Sequence, residues 1–325
     1  MTPLAVTLIA AVLIGAVLLG IRLMNSPRTA VKGNLLLSLC VGLAILVALL
    51  RVEVTQMALP LVGLTAGLIV GLWRATMIQM PQAVALLNGL GGAASALVGT
   101  VVLTNGALSS EAVERAIAAL ALGVGAITLS GSLVAAAKLQ GSISQRSMAF
   151  AWCRLCASFL LLAVATLIGL VALATGENLI LCVALAVASL SFGVFFALRI
   201  GGADMPVTIS LLNSLSGLAA AIAGFAVGDL MLVAIGAIVG AAGLILTQIM
   251  CRAMNRSLVQ VLSGVKTAAT DPPQVADETI LAPVEPSPSA IVSTPSLASE
   301  NDDARIGRVL EQSQTVVIIP GYGMA

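Results

Sequence analysis

The sequence MPQAVALLNGLGGAASALVG, residues 80–99, occurs a second time in similar form, and this repeat is the main indication of the fold. Residues 205–224 read MPVTISLLNSLSGLAAAIAG, and at a constant offset the two segments share Met-Pro, Leu-Leu-Asn and a final Gly. In each copy a proline starts a helix, and Asn88 or Asn213 follows about two turns into apolar sequence. An amide at that depth is costly in hydrocarbon, so each Asn is a candidate functional residue that faces protein or water.

The composition predicts a membrane protein that contacts the lipid bilayer. Of 325 residues 59% are hydrophobic and 9% are charged, whereas about a quarter of a soluble domain is charged. The chain has no histidine, which excludes imidazole proton relays and histidine metal sites built from this chain alone. Cys153 and Cys156 form a CxxC pair that we interpret as helix packing, because no second pair and no histidine accompany it. We expect neither a metal nor a nucleic-acid partner.

Apolar runs of about 17–25 residues predict an all-α polytopic protein with about nine membrane-spanning helices. The runs lie at 3–23, 34–50, 56–72, 82–103, 114–137, 151–173, 179–198, 207–227 and 229–250. The third run is short, and only Gly228 and Asp229 separate the last two. Residues 1–266 are therefore predicted to form one transmembrane domain.

Basic residues beside the runs predict the orientation in the membrane. Eleven of them lie in one set of alternate connections, and the other set holds only Arg51 and Arg115. The richer set is expected in the cytoplasm, which places the N-terminus outside and the C-terminal segment inside. Both Pro-initiated helices then run outward from the cytoplasmic face. This shared direction predicts a parallel internal repeat, with units at about 56–138 and 179–251.

Helical spacing places the polar and small residues of each repeat on one face. Asn88, Gly92, Ser95 and Gly99 share a face in the first copy, and Asn213 begins the equivalent face in the second. In the fifth run a third such stripe is made by Gly125, Thr128, Ser132 and Ala136, and Ser130 lies nearby. Two interpretations remain open: close helix packing with interhelical hydrogen bonds, or a polar path into the membrane.

The character of the chain changes after Lys266. Residues 267–300 are rich in Pro, Ser and acidic residues, and we expect a flexible cytoplasmic linker that cannot bury a core. Residues 301–325 end in TVVIIPGYGMA, a strand pattern followed by Gly-x-Gly, which is how Rossmann-like dinucleotide-binding domains begin. We expect this segment to be the incomplete start of such a domain, in a chain that is a truncated form.

Several motifs carry a resemblance that covers essentially the whole chain. The segments GGADMPV, SLLNSLSG, MCRAMNRS, SGSLVAAAKLQG and VVIIPGYGMA resemble the beta subunit of proton-translocating NAD(P) transhydrogenase. The resemblance implies a proton-conducting membrane domain and an NADP(H)-binding domain that exchanges hydride with NAD(H) on a partner alpha subunit. It also implies a bacterial inner-membrane enzyme, a dimer of alpha–beta units, and little activity for this chain alone.

The resemblance assigns roles to particular residues. Gly321, Tyr322 and Gly323 would contact NADP, and Asn213 would belong to the proton path. Well-known bacterial members have histidine at the position of Asn88, and an amide cannot exchange a proton near neutral pH as imidazole can. We therefore expect a membrane histidine from the partner alpha subunit.

The loops that face the nucleotide domain in this topology carry four candidate coupling contacts, or equally well membrane-edge anchors. They are Arg199, Asp204, Arg252 and Arg256. Two other functions stay open for the chain as a whole: a secondary transporter, which would suit a parallel repeat, and a structural membrane anchor in which the Asn residues only join helices.

Overall fold

The computed structural model describes residues 3–50, 52–53, 56–72, 79–104, 111–147, 151–174 and 178–263. All of them belong to one compact unit, Met1–Ala269. The predicted linker at 267–300 and the segment 301–325 lie outside the described residues, so neither the Rossmann-like start nor residues 321–323 can be compared with the structure.

The described part of the chain is entirely helical. Nine long helices are followed by a short one, and a 3-10 turn, Gly202–Asp204, precedes the eighth. The helices are α1 Pro3–Met24, α2 Ala30–Leu49, α3 Ala58–Leu72, α4 Met80–Thr104, α5 Ala112–Leu139, α6 Ala151–Leu173, α7 Leu179–Arg199, α8 Met205–Val227, α9 Leu230–Ala253 and α10 Leu258–Ser263.

Each of the nine predicted runs coincides with a helix, and eight helices in the described residues are long and apolar enough to cross a membrane. The chain is therefore a membrane protein. The third helix differs, because α3 has 15 residues and extends about 22 Å, short of a hydrocarbon core of roughly 30 Å. A ninth span at α3 stays a prediction.

Two adjacent capping residues form the break between α8 and α9, because Gly228 is the C-cap of α8 and Asp229 is the N-cap of α9. Gly228 adopts a left-handed conformation with φ of 71°, and its N–H donates to the Gly224 carbonyl at the end of α8. The Asp229 carboxylate then accepts from the N–H groups of Met231 and Leu232, at 2.9 and 3.2 Å, and starts α9. One helix ends and its antiparallel neighbour begins within two residues.

The two helix pairs α4–α5 and α8–α9 pack with equivalent glycine contacts. A Cβ on Gly92 would lie 2.7 Å from the Gly125 carbonyl oxygen, and a Cβ on Gly125 would lie 2.6 Å from the Ala96 nitrogen. In the second pair a Cβ on Gly236 would lie 2.8 Å from the Gly217 oxygen and 2.5 Å from the nitrogen of Ala221, the residue that corresponds to Ala96. These matched contacts are what a duplicated unit would give.

Helix α5 is the centre of the bundle and contacts α4, α6, α7 and α8. Two apolar clusters lie toward its opposite ends. One contains Ala135, Ile200 and Met205, and the other contains Ala118 and Leu185. Polar side chains border the first cluster, since Asn88 on α4 bonds the carbonyl of Ile209, which belongs to that cluster.

Candidate functional site

The seam between α4 and α8 joins the two copies of the repeated segment. Asn88 is buried, and its Nδ2 donates to the carbonyl oxygen of Ile209 on α8 at 3.3 Å. Ile209 lies one turn before Asn213, which is half-buried. Ser216 continues the same face of α8, and its Oγ would be 2.6 Å from a Cβ on Gly91. The structure therefore brings both Asn residues to one interhelical seam.

The α5 side of the site contributes two hydroxyl residues that face α4. The Cβ of Thr128 lies 2.8 Å from the Cβ position of Gly92, and the Cβ of Ser132 lies 3.2 Å from that of Gly89. Thr128 is satisfied within its helix, because its hydroxyl donates to the Val124 carbonyl at 2.8 Å. The buried Ser132 hydroxyl has no hydrogen-bond partner among the described residues. A buried orphan hydroxyl of this kind is suited to an ordered water.

Ser130 lies on the opposite side of α5 from this site. Its hydroxyl donates to the Ala126 carbonyl at 3.1 Å, and its Oγ occupies the space that a Cβ on Gly193 of α7 would need. Residues two apart on a helix do not face the same neighbour. Of the three hydroxyl residues predicted on α5, the structure places Thr128 and Ser132 against α4, at the α4–α5 interface, and Ser130 against α7.

The predicted loop residues lie at the end of the bundle where α5, α7 and α9 end and α8 begins. Asp204 is buried and pairs with Arg256 at 2.7 Å between Oδ2 and Nη1. Its other oxygen, Oδ1, is buried without a hydrogen-bond partner in the described part of the chain. Arg199 occupies the last turn of α7, and Arg252 is exposed in the last turn of α9. The ion pair joins the α7–α8 connection to the α9–α10 connection.

Comparison with known proteins identifies the family. Residues 5–325 match the NAD(P) transhydrogenase beta subunit family. Two curated relatives from Rhodospirillum rubrum, both named NAD(P) transhydrogenase subunit beta, are each 33% identical over 317 residues, which is 94% of this chain.

The chain belongs to the NAD(P) transhydrogenase beta subunit family. It spans 64% of the length of the Rhodospirillum rubrum relatives. The resemblance drawn from the GGADMPV, SLLNSLSG and VVIIPGYGMA motifs is thus confirmed at the level of the family. The seam between α4 and α8 is therefore a site in the membrane part of a transhydrogenase beta-type chain.

This transhydrogenase chain holds a second buried polar seam, between α8 and α9, that the sequence analysis missed. Thr247 Oγ1 donates to the Gly243 carbonyl of its own helix at 2.8 Å and lies 3.0 Å from Ser210 Oγ on α8. Ser214 Oγ donates to the Gly240 carbonyl at 2.7 Å. All three hydroxyl residues are buried. The four-residue spacing of Ser210 and Ser214 is a signal that could have indicated this face, because such residues lie one above the other on a helix.

Two of the sequence-based expectations concern a metal site and the CxxC pair. No group of three or more His, Cys, Asp or Glu residues there could hold a metal ion. Cys156 is a half-buried free thiol, while the side chain of its CxxC partner, Cys153, lies outside the described residues.

Proposed function

We propose that this chain supplies the membrane proton path of a proton-translocating NAD(P) transhydrogenase. The single observation that carries the proposal is the buried hydrogen bond from Asn88 to the Ile209 carbonyl, which joins the two repeat copies. The next residue of α4, Gly89, faces Ser132, whose buried hydroxyl has no hydrogen-bond partner among the described residues. Polar groups enclosed among membrane helices are costly, and they are characteristic of ion and proton pathways. Asn88, Asn213, Thr128 and Ser132 are the proposed path residues. Ser130, on the α7 side, would act only as a support for α5.

In the complete enzyme, hydride transfer between NAD(H) and NADP(H) would be coupled to this path. NADP(H) would bind the domain that begins with Gly321, Tyr322 and Gly323, and NAD(H) would bind the partner alpha subunit. The loop end of the bundle, with Asp204 paired to Arg256, would face the cytoplasm and the nucleotide domain. Arg199 and Arg252 lie on helices that end at the same face and are proposed coupling contacts.

The protonatable group of the path would come from the partner. The chain contains no histidine, and an amide at position 88 holds water or orients a neighbour without exchanging a proton itself. We propose that a histidine on a membrane helix of the alpha subunit completes the site at the seam, where Asn213 is only half-buried. The assembly would be a dimer of alpha–beta units in a bacterial inner membrane, with the N-terminus of this chain outside.

The test is a comparison of amide replacements in the complete alpha–beta enzyme, reconstituted in sealed proteoliposomes. Asn88→Leu keeps the size of the side chain but removes its hydrogen-bond donor, and Asn34→Leu is the control because Asn34 is exposed on α2. We expect Asn88→Leu to lower the rate of proton movement by about tenfold or more, equivalent to roughly 1.4 kcal/mol in the barrier, and the control to leave it unchanged.

Hydride transfer, proton movement and thermal stability are measured on the same preparations. A loss of stability in Asn88→Leu with full proton coupling would show that the amide only joins helices. Movement of a solute without any hydride reaction would instead favour a secondary transporter. Full coupling in a complex whose alpha subunit has no membrane histidine would refute the partner-histidine proposal.

A further inference from the structure

Lys138 is a fully buried cation at the end of α5, and the proposed path does not use it. Its relative exposure is 0%, and its Nζ donates to the carbonyl oxygens of Leu198 and Ile200, each at 2.7 Å. Both acceptors lie where α7 ends. A long charged side chain in this position is rarely buried unless it is paired or hydrogen-bonded, so the two carbonyls account for its placement.

The end of α7 needs such a donor. The chain leaves the helix at Ile200, where φ is −87° and ψ is 133°, so the last carbonyls of α7 lack the N–H partners of a continuing helix. Ile200 is itself fully buried in the apolar cluster with Met205, where water is not at hand as a substitute partner. The Lys138 ammonium satisfies these carbonyls and also lies at the negative end of the helix dipole.

The segment 200–204 is held from two further directions. The N–H of Gly202 donates to the Gln145 carbonyl at 2.8 Å, and a Cβ on Gly202 would lie 2.9 Å from the Cβ of Gln145. At the other end of the segment, Asp204 is paired with Arg256. Segment 200–204 leads directly into α8. It is thus held by Lys138, by the α5–α6 connection and by the α9–α10 connection.

We propose that Lys138 is a positioning residue that sets where α8 begins, and so sets the register of Asp204 and Asn213 against the rest of the bundle. The connection to Asn213 rests on the proposed proton path. Without the ammonium, the carbonyls of Leu198 and Ile200 lose their charged donor, and the polar contacts that still oppose a shift of segment 200–204 are those to Gln145 and Arg256. A shift there is transmitted along α8, because Asn213 lies only two turns beyond the first residue of that helix.

The first experiment measures the position of segment 200–204 directly. The Cβ position of Gly201 lies 3.8 Å from the Cβ of Ser147, within the range of a disulfide. The pair Ser147→Cys and Gly201→Cys is introduced into the full chain, oxidised in membranes, and detected by mass spectrometry of the linked peptides. We expect efficient linkage in the parent chain, and a several-fold lower yield when Lys138→Met is added.

Two further variants keep this test interpretable. Lys32→Met removes an exposed lysine from α2 and should leave the linkage unchanged. Lys138→Gln keeps a neutral NH2 donor group of shorter reach, so it should give an intermediate yield, and it serves as the test if Lys138→Met does not fold. Unchanged linkage in both Lys138 variants would overturn the proposal.

The second experiment measures the ratio of protons moved to hydride transferred in the complete enzyme in sealed proteoliposomes. We expect Lys138→Met to lower the ratio several-fold and Lys138→Gln to recover part of it. A merely structural role would reduce the amount of folded enzyme and leave the ratio unchanged, and that result would overturn the proposal. If Asn88→Leu leaves coupling intact while linkage is lost in Lys138→Met, the proposed path fails but the positioning of segment 200–204 stands.

Discussion

Replacing Gly92 by alanine tests whether close contact between α4 and α5 holds the two helices in place. The new methyl group would lie 2.7 Å from the Gly125 carbonyl oxygen, 2.8 Å from the Thr128 Cβ and 3.0 Å from the Leu129 nitrogen. Two of these three atoms belong to the backbone and cannot rotate away. Overpacking of this kind costs about 1–3 kcal/mol.

The matched control is Gly42→Ala on α2, because nothing lies within 4 Å of a Cβ at that position. Both substitutions gain roughly 0.5–1 kcal/mol from the better helix propensity of alanine. The difference between the two variants therefore isolates the steric cost, and we expect Gly92→Ala to be the less stable by about 1–3 kcal/mol.

The full chain is heated in detergent, and its thermal unfolding is measured as the fraction that stays monodisperse on gel filtration. At roughly 2–4 °C per kcal/mol, the two midpoints should differ by several degrees. A midpoint for Gly92→Ala equal to or above that of Gly42→Ala would refute the view that glycine is needed there for close approach.

The remaining predictions concern two buried polar contacts and use the same unfolding assay. A double-mutant cycle of Asp204→Asn and Arg256→Gln should give a coupling energy of about 1 kcal/mol or less that weakens with salt, because the Arg256 side chain is 29% exposed. A coupling energy of zero at low salt would contradict it. Thr247→Val should destabilise the chain by about 0.6–1.7 kcal/mol, because it removes the hydroxyl that joins α9 to Ser210 on α8. Thr65→Val on α3 should have little effect. The hydroxyls of both threonines bond a carbonyl of their own helix, but Thr65 is exposed, whereas Thr247 is buried and also meets Ser210. Equal effects of the two threonine substitutions would show that the α8–α9 hydroxyl bond contributes nothing.

The positions of the helices were predictable because the signals for them are local. Each apolar run lies on a helix, and even the two-residue break at Gly228 and Asp229 was visible, since a left-handed glycine and an N-capping aspartate act within a few residues. The third run remains untested as a span, because α3 has 15 helical residues among those described.

The candidate site was predictable only in part. The repeat identified Asn88 and Asn213, and helical periodicity grouped Thr128 with Ser132. Periodicity also separates Ser130 from them, because residues two positions apart on a helix differ by about 200° around its axis. Only the tertiary structure shows that Ser130 faces Gly193 on α7, because periodicity does not say which helix lies on that side.

The family, the membrane class, the helices and the duplicated segment could be predicted from the sequence alone, because they depend on residue types and on spacing along one helix. The tertiary structure decided which polar groups meet. Lys138 was only one of eleven basic residues in the charge count, yet it is a buried cation that holds the end of α7, 60 residues further along the chain. In the same way, Asn88 reaches a carbonyl 121 residues away. Such pairings follow from helix packing, which periodicity along a single helix does not specify.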